Sequence, residues 1–304
     1  MEATGALLGL LVGVLLAFAG GEALTRGSRG LIAPSAAGLA AFVAVLASAV
    51  PEYAFAMRAA WLDLPGAALG AVAGSFVANA FVAGLLAATG IEDEARGGRT
   101  FAAASAIAAG ALLFAAFDGT ITRTEGGWML LGALVVAVRA ARLDARSEDE
   151  GARATPAVAV GLLAIGAGLA VAGTWLALDQ VEALARGRAD GDLFVGLTML
   201  GAGAALPEVA AAFIAARKGC GSRGFVNVAA GTALTLFGAI GAAALLRPLP
   251  VADAFLGAPA AALAIAAVVL MITAAARRRL PSGVAVGGFV AWTVAMAAFA
   301  WSAP

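Results

Sequence analysis

Ten stretches of the chain meet or approach the length and apolarity needed to cross a bilayer, and only short polar breaks separate them. They lie near 4–24, 31–60, 66–90, 101–117, 125–143, 156–178, 192–216, 224–246, 253–275 and 281–301. A spanning helix needs about 20 mostly apolar residues, because every backbone N–H and C=O must be satisfied within the segment across roughly 30 Å of hydrocarbon. The breaks include TRGSRG at 25–30, IEDEARGGRT at 91–100, KGCGSRG at 218–224 and RRRLPSG at 277–283. This succession predicts an all-α integral membrane protein with ten transmembrane helices. Gly and Ala fill most of them, which lets backbones approach closely where lipid gives helices no reason to associate. The first stretch opens Met1-Glu2 with no basic residue before its apolar run, so it is read as a retained helix.

Composition narrows the chemistry. Of 304 residues, 62% are hydrophobic and 12% charged, where a soluble domain carries about 25% charged residues. The 19 basic and 19 acidic residues balance, and no basic tract points to nucleic acid as a partner. The chain has no histidine and a single cysteine, Cys220. Ser-His-Asp and Cys-His catalysis, histidine-bound metals, cysteine clusters and an internal disulfide are thereby excluded. With no paired nucleophile and base, an enzyme is not expected.

Basic residues set the orientation. With the N-terminus outside, alternating loops place 14 of the 19 Lys and Arg residues on one side and Arg58, Arg123, Arg186, Arg188 and Arg247 on the other. The richer side is expected to be cytoplasmic, giving a multi-pass cell-membrane protein with both termini outside. The longest polar loop, DARSEDEGARAT at 144–155, then falls inside near mid-chain. It reads as a linker between two five-helix halves, 1–147 and 148–304.

The halves echo each other over 38–90 and 194–246. Leu46-Ala-Ser-Ala-Val-Pro51-Glu52 in the second helix matches Gly201-Ala-Gly-Ala-Ala-Leu-Pro207-Glu208 in the seventh. The following helices carry Gly70-x-x-x-Gly74-Ser75 and Asn227-x-x-x-Gly231-Thr232. Helix two runs from inside to outside and helix seven the other way, so the two repeats are inverted. Many secondary transporters share this plan and hold substrate near the midplane.

Proline explains why an acid belongs at these positions. It lacks an N–H, and its ring clashes with the carbonyl four residues back. Pro51 therefore frees the carbonyl of Ala47 and loosens the turn through Val50, and Pro207 does the same to Gly203 and the turn through Leu206. Freed carbonyls at membrane depth are costly unless they line a cavity or bind something. Glu52 and Glu208 are each the only acid near the middle of their helix. A charge there costs about 2.5–3.5 kcal/mol on insertion scales and is functional by default. Two carboxylates with two sets of loosened carbonyls make an all-oxygen cage for a hard cation such as calcium, which takes about 6–8 oxygens. The competing reading is two plain kinks with protonated or backbone-paired glutamates. Recurrence at matched positions in inverted halves weighs against it.

These segments resemble the alpha repeats of the sodium/calcium exchanger family, within the calcium/cation antiporter superfamily. There, one helix carries Gly-Thr-Ser-x-Pro-Glu and the next Gly-Ser-x-x-x-Asn or Asp. Ala47-Ser48-Ala49-Val50-Pro51-Glu52 and Gly74-Ser75-x-x-x-Asn79 fill the first-half pattern. Gly203-Ala204-Ala205-Leu206-Pro207-Glu208 and Gly231-Thr232-x-x-x-Leu236 correspond in the second. The resemblance implies alternating-access antiport of an inorganic cation, calcium first, against sodium or protons, with no cofactor. It implies that Glu52, Glu208 and carbonyls around Ala47–Ser48 and Gly203–Ala204 hold calcium, while Ser75, Asn79 and Thr232 supply side-chain oxygens. The sequence departs from the pattern at Ala49 and Ala205, where the family has serines, and at Leu236, where it has Asn or Asp. Carbonyls survive such changes and hydroxyls do not, so divalent binding is expected to outlast sodium binding, with protons riding on Glu52 or Glu208. Helices one and six, Gly-rich and without a motif, would slide past the core. A sodium/proton antiporter on the same scaffold and a transport-inactive membrane assembly protein are the alternatives.

Other polar residues have plainer expectations. Glu22 beside Arg26 reads as a snorkelling terminal charge, and Asp118 and Arg123 as solvated ends of a turn. Asn227 is expected to cap helix eight, and Thr198 to bond back to its own helix. Thr235, near Thr232, would replace part of the lost oxygen. Trp61, Trp175 and Trp301 read as interfacial anchors. The Gly-x-x-x-Gly at 70–74 is also the spacing of ordinary close packing.

Overall fold

The computed structural model describes residues 2–31, 43, 46–47, 49–88, 96–144, 155–186, 190–205 and 221–275. Its helices are α1 (Glu2–Leu31), α2 (Val50–Trp61), α3 (Pro65–Ala88), α4 (Arg96–Ala116), α5 (Arg123–Asp144), α6 (Pro156–Ala185), α7 (Gly191–Val195), α8 (Gly221–Leu246), α9 (Asp253–Leu256) and α10 (Ala258–Ala275). Helix α7 continues through a π-helical turn at Gly196–Leu200 to residue 205. Among the described residues, seven helical stretches are long and apolar enough to cross a membrane. The expected helix at 281–301 and most of 31–49 lie outside the described residues.

Helices α1 and α6 pack antiparallel along their length through a glycine seam. Gly13 and Gly20 of α1 face Gly173 and Gly166 of α6, and a methyl on either would lie 2.6 Å from the opposing carbonyl oxygen. Gly27 meets Ala159 and Leu163 one step further on. The seven-residue spacing keeps these positions on one stripe, so two backbones touch where no side chain intervenes. The outer faces carry Leu8, Leu15, Val160 and Ile165, all exposed, the surface expected to meet lipid. Helix α6 runs past the expected end at 178 because Leu178 and Val181 bury while Asp179 and Glu182 stay exposed, one more amphipathic turn.

Helix α3 lies at the centre. It is apolar on all sides and almost wholly enclosed, packing against α2, α7, α8 and α10. Gly70 and Gly74 seat it on α7. A methyl at Gly70 would lie 2.7 Å from the Leu193 carbonyl, and one at Gly201 would lie 2.8 Å from the Gly74 Cα. The Gly-x-x-x-Gly spacing thus serves close packing, and it does so between the two halves of the chain. Asp192 accepts a hydrogen bond from the Ala67 N–H at 3.2 Å, satisfying a donor in the first turn of α3 from the start of α7.

Away from the centre, Thr120–Ile121 and Leu249–Pro250 form a short antiparallel ribbon that ties the loop after α4 to the loop after α8. Nothing in the helical periodicity announces it. Helix α5 opens with a capping box: the Thr122 N–H donates to Glu125 at 2.7 Å, and the Glu125 N–H donates to the Thr122 hydroxyl at 3.3 Å. Asp118 and Arg123 are exposed, as expected, and Arg26 pairs with Glu22 at 2.6 Å on the exposed face of α1. Asn227 does not cap α8. That helix begins at Gly221, which puts Asn227 in its second turn, exposed, beyond reach of the free N–H groups at the start.

Candidate functional site

The backbone is helical at Leu46 and Ala47, turns at Ala49, where the N–H donates to the Leu46 carbonyl at 3.1 Å, and enters α2 at Val50. Pro51 therefore opens a helix rather than bending a continuous one from 31 to 60. At the second helical position its missing N–H is one the helix does not use. Glu52 follows in the first turn of α2, where the positive end of the helix favours a negative charge by about 0.3–1 kcal/mol. It is buried, 5% exposed, and is the one charged residue so buried among the described residues.

Ser75 and Asn79 lie one turn apart on α3, both buried, and Thr232 is buried on α8. Helices α2, α3 and α8 all pack against one another, so Glu52, Ser75, Asn79 and Thr232 sit on three mutually contacting elements. Thr232 donates to its own Val228 carbonyl at 2.6 Å, leaving its oxygen lone pairs as acceptors. Thr235, one turn along, is also buried. Most buried polar residues elsewhere are accounted for locally: Ser28, Ser105, Thr174 and Thr273 each bond to a carbonyl of their own helix. Thr198 does the same to Phe194 at 2.7 Å, as expected, within the π turn of α7.

From the second half, Gly203, Ala204 and Ala205 are buried at the end of the described part of α7. The Ser75 backbone abuts Gly201, which brings the first-half α3 motif against the second-half segment. Gly203 also faces Val14 of α1. Ser48, Leu206, Pro207 and Glu208 lie outside the described residues. Ala47 and Ala49 are buried beside Glu52, and Leu236 is fully buried on α8. Among the described residues no three acidic, cysteine or histidine side chains converge. A cation held here would draw on hydroxyl, amide and carbonyl oxygens around Glu52, the donor set of a hard ion.

Two further residues of α2 make contacts that the sequence did not announce. Tyr53, beside Glu52, donates its hydroxyl across to the Leu234 carbonyl of α8 at 3.3 Å. Arg58 holds its guanidinium 4.8 Å from the ring centre of Trp175 on α6, with Asp179 4.0 Å away. Trp175, half exposed on α6, is thus a stacking partner for Arg58. A Tyr or Arg inside an apolar helix was the available signal, since each polar end needs a partner.

Residues 158–301 match the family described as sodium/calcium exchanger protein. That match takes in a little under half of the chain, all of it in the second half. The fold agrees across nearly its whole length. The sodium-calcium exchanger NCX_Mj, soaked with Na+ and Sr2+, superposes with a TM-score of 0.61 at 19% identity, covering 97% of this chain and 99% of that one. The H+/Ca2+ exchanger CAX gives a TM-score of 0.66 at 14% identity, covering 97% of this chain and 85% of that one. Both likenesses are of fold. No curated protein matches the sequence. The family match and the apolar helices make the chain a multi-pass membrane protein, and its likenesses are exchangers rather than enzymes.

Proposed function

We propose that this protein is a secondary active cation antiporter of the exchanger family that carries calcium against sodium or protons by alternating access. The observation that carries it is Glu52, a buried acid in the first turn of α2, enclosed by helices bearing Ser75, Asn79 and Thr232. In this reading Glu52 and Glu208 coordinate the ion. Carbonyls around Ala47, Ser48, Gly203 and Ala204 complete the shell, and Ser75, Asn79 and Thr232 contribute side-chain oxygens. The chain folds as ten helices in two inverted halves, with the basic-rich loops in the cytoplasm and both termini outside.

Buried alanines at 49 and 205 and the buried Leu236 bring no side-chain oxygen to the cluster. Sodium would find fewer ligands than a divalent ion held by carboxylates and carbonyls, which makes the proton the better-served counter-ion. The α1–α6 pair, joined by its glycine seam and touching the rest chiefly through α2 and α7, has the contacts of a unit able to shift against the core.

Reconstitution into proteoliposomes tests this directly. Calcium uptake should follow an opposing proton gradient more steeply than a sodium gradient. Removing one outer partner of a metal ligand already costs about 10–100-fold, so Glu52→Gln should reduce uptake at least tenfold. Uptake unchanged in Glu52→Gln and in Glu208→Gln would remove the assigned site.

A further inference from the structure

Tyr53 follows Glu52 directly, so both ride on the first turn of α2. Its hydroxyl reaches the Leu234 carbonyl of α8 at 3.3 Å. Its ring end fills a notch that exists only because residue 238 is glycine: a Cβ there would overlap the phenol oxygen and the carbon bearing it, with Cε1 only 3.0 Å away. Residues 234 and 238 are hydrogen-bonding partners within an α-helix, so the tyrosine docks on a single rung of α8. Thr232 lies two residues before that rung, about 3 Å along the axis. The depth of this seat therefore fixes how far the turn bearing Glu52 stands from the turn bearing Thr232.

Building on the antiporter reading above, we propose that the Tyr53–Gly238 joint is a specificity determinant: it sets the α2–α8 spacing and so the size of divalent ion the cluster accepts. Calcium takes its oxygens at about 2.3–2.6 Å and magnesium at about 2.0–2.1 Å, so a change of a few tenths of an ångström in helix spacing separates one ion from another. Tyr53 is a positioning residue in this scheme. Its hydroxyl is committed to α8.

The prediction has a sign in each direction. Gly238→Ala wedges α2 away from α8 and widens the cage, which should move the ratio of calcium to strontium affinity about tenfold toward strontium. Tyr53→Leu empties the notch and lets the helices close, which should favour magnesium and weaken strontium. Tyr53→Phe keeps the ring in place and should change selectivity by less than about threefold. Combining Gly238→Ala with Tyr53→Leu should restore the wild-type order, because the added methyl then has somewhere to go.

Competition binding of calcium, strontium and magnesium to the detergent-purified full chain reads all four variants, with size-exclusion profiles reporting folding. If Gly238→Ala does not fold, the opposite shift in Tyr53→Leu still decides the matter. Unchanged selectivity in folded variants, or no rescue in the double variant, overturns the joint while leaving the antiporter intact. Wild-type protein that binds no divalent ion overturns both.

Discussion

Glu52 is the residue on which the proposed chemistry turns, and what surrounds it is asymmetric. The first half brings Ser75 and Asn79 to the buried cluster, while the second brings Thr232 and, at the position matching Asn79, the fully buried Leu236. Burying an amide without a partner costs on the order of 1–3 kcal/mol in proteins, so an oxygen placed at 236 should seek an ion. Leu236→Asn is expected to steepen the dependence of calcium uptake on a sodium gradient relative to a proton gradient. An unaltered ratio, in protein that remains folded, would show that position 236 does not face the ion.

At the scale of elements, the glycines divide by what they meet. Gly13, Gly20, Gly166 and Gly173 press backbone against backbone between α1 and α6, whereas Gly161 and Gly168 on the same α6 have nothing within 4 Å of a would-be Cβ. Overpacking costs typically about 1–3 kcal/mol. Gly20→Val should therefore lower the melting temperature of the purified protein by several degrees, while Gly168→Ala, in open space, should leave it unchanged or raise it. Helix α2 is short because Pro51 and the turn at Ala49 open it, and that brevity puts the acid in a first turn, where the helix dipole favours it. Equal melting temperatures for the two glycine variants would mean that the seam does not hold α1 to α6.

Over the whole molecule, the contacts joining the halves are more numerous in kind than an inverted repeat alone suggests. Asp192 caps α3, the Gly70–Gly74 surface seats on α7, the Thr120–Ile121 ribbon pairs with Leu249–Pro250, and Arg247 reaches Asp63 at 3.0 Å. Asp63, Asp118, Asp192 and Arg247 all fall on the side with fewer basic residues in the proposed orientation. In a Cys220→Ser background, Asp118→Cys should be labelled by a membrane-impermeant maleimide from outside and Ser147→Cys only from the cytoplasmic side. Labelling of both from one face would break the ten-helix layout, and exchanged labelling would reverse it.

From the sequence alone came the membrane class, the apolar helices and the acid beside Pro51 that the fold buries. Each rests on a local cost: an unsatisfied backbone in hydrocarbon, or a charge with no water near it. Although it was not anticipated above, the capping box at Thr122 and Glu125 was legible as a four-residue pattern. The seat of Tyr53 at Gly238, the stacking of Arg58 on Trp175 and the pairing of Asp192 with α3 were not. Those contacts join residues far apart in the chain, and their existence depends on the distance between helix axes. Only the packed backbones set that distance, through which small residues happen to face one another.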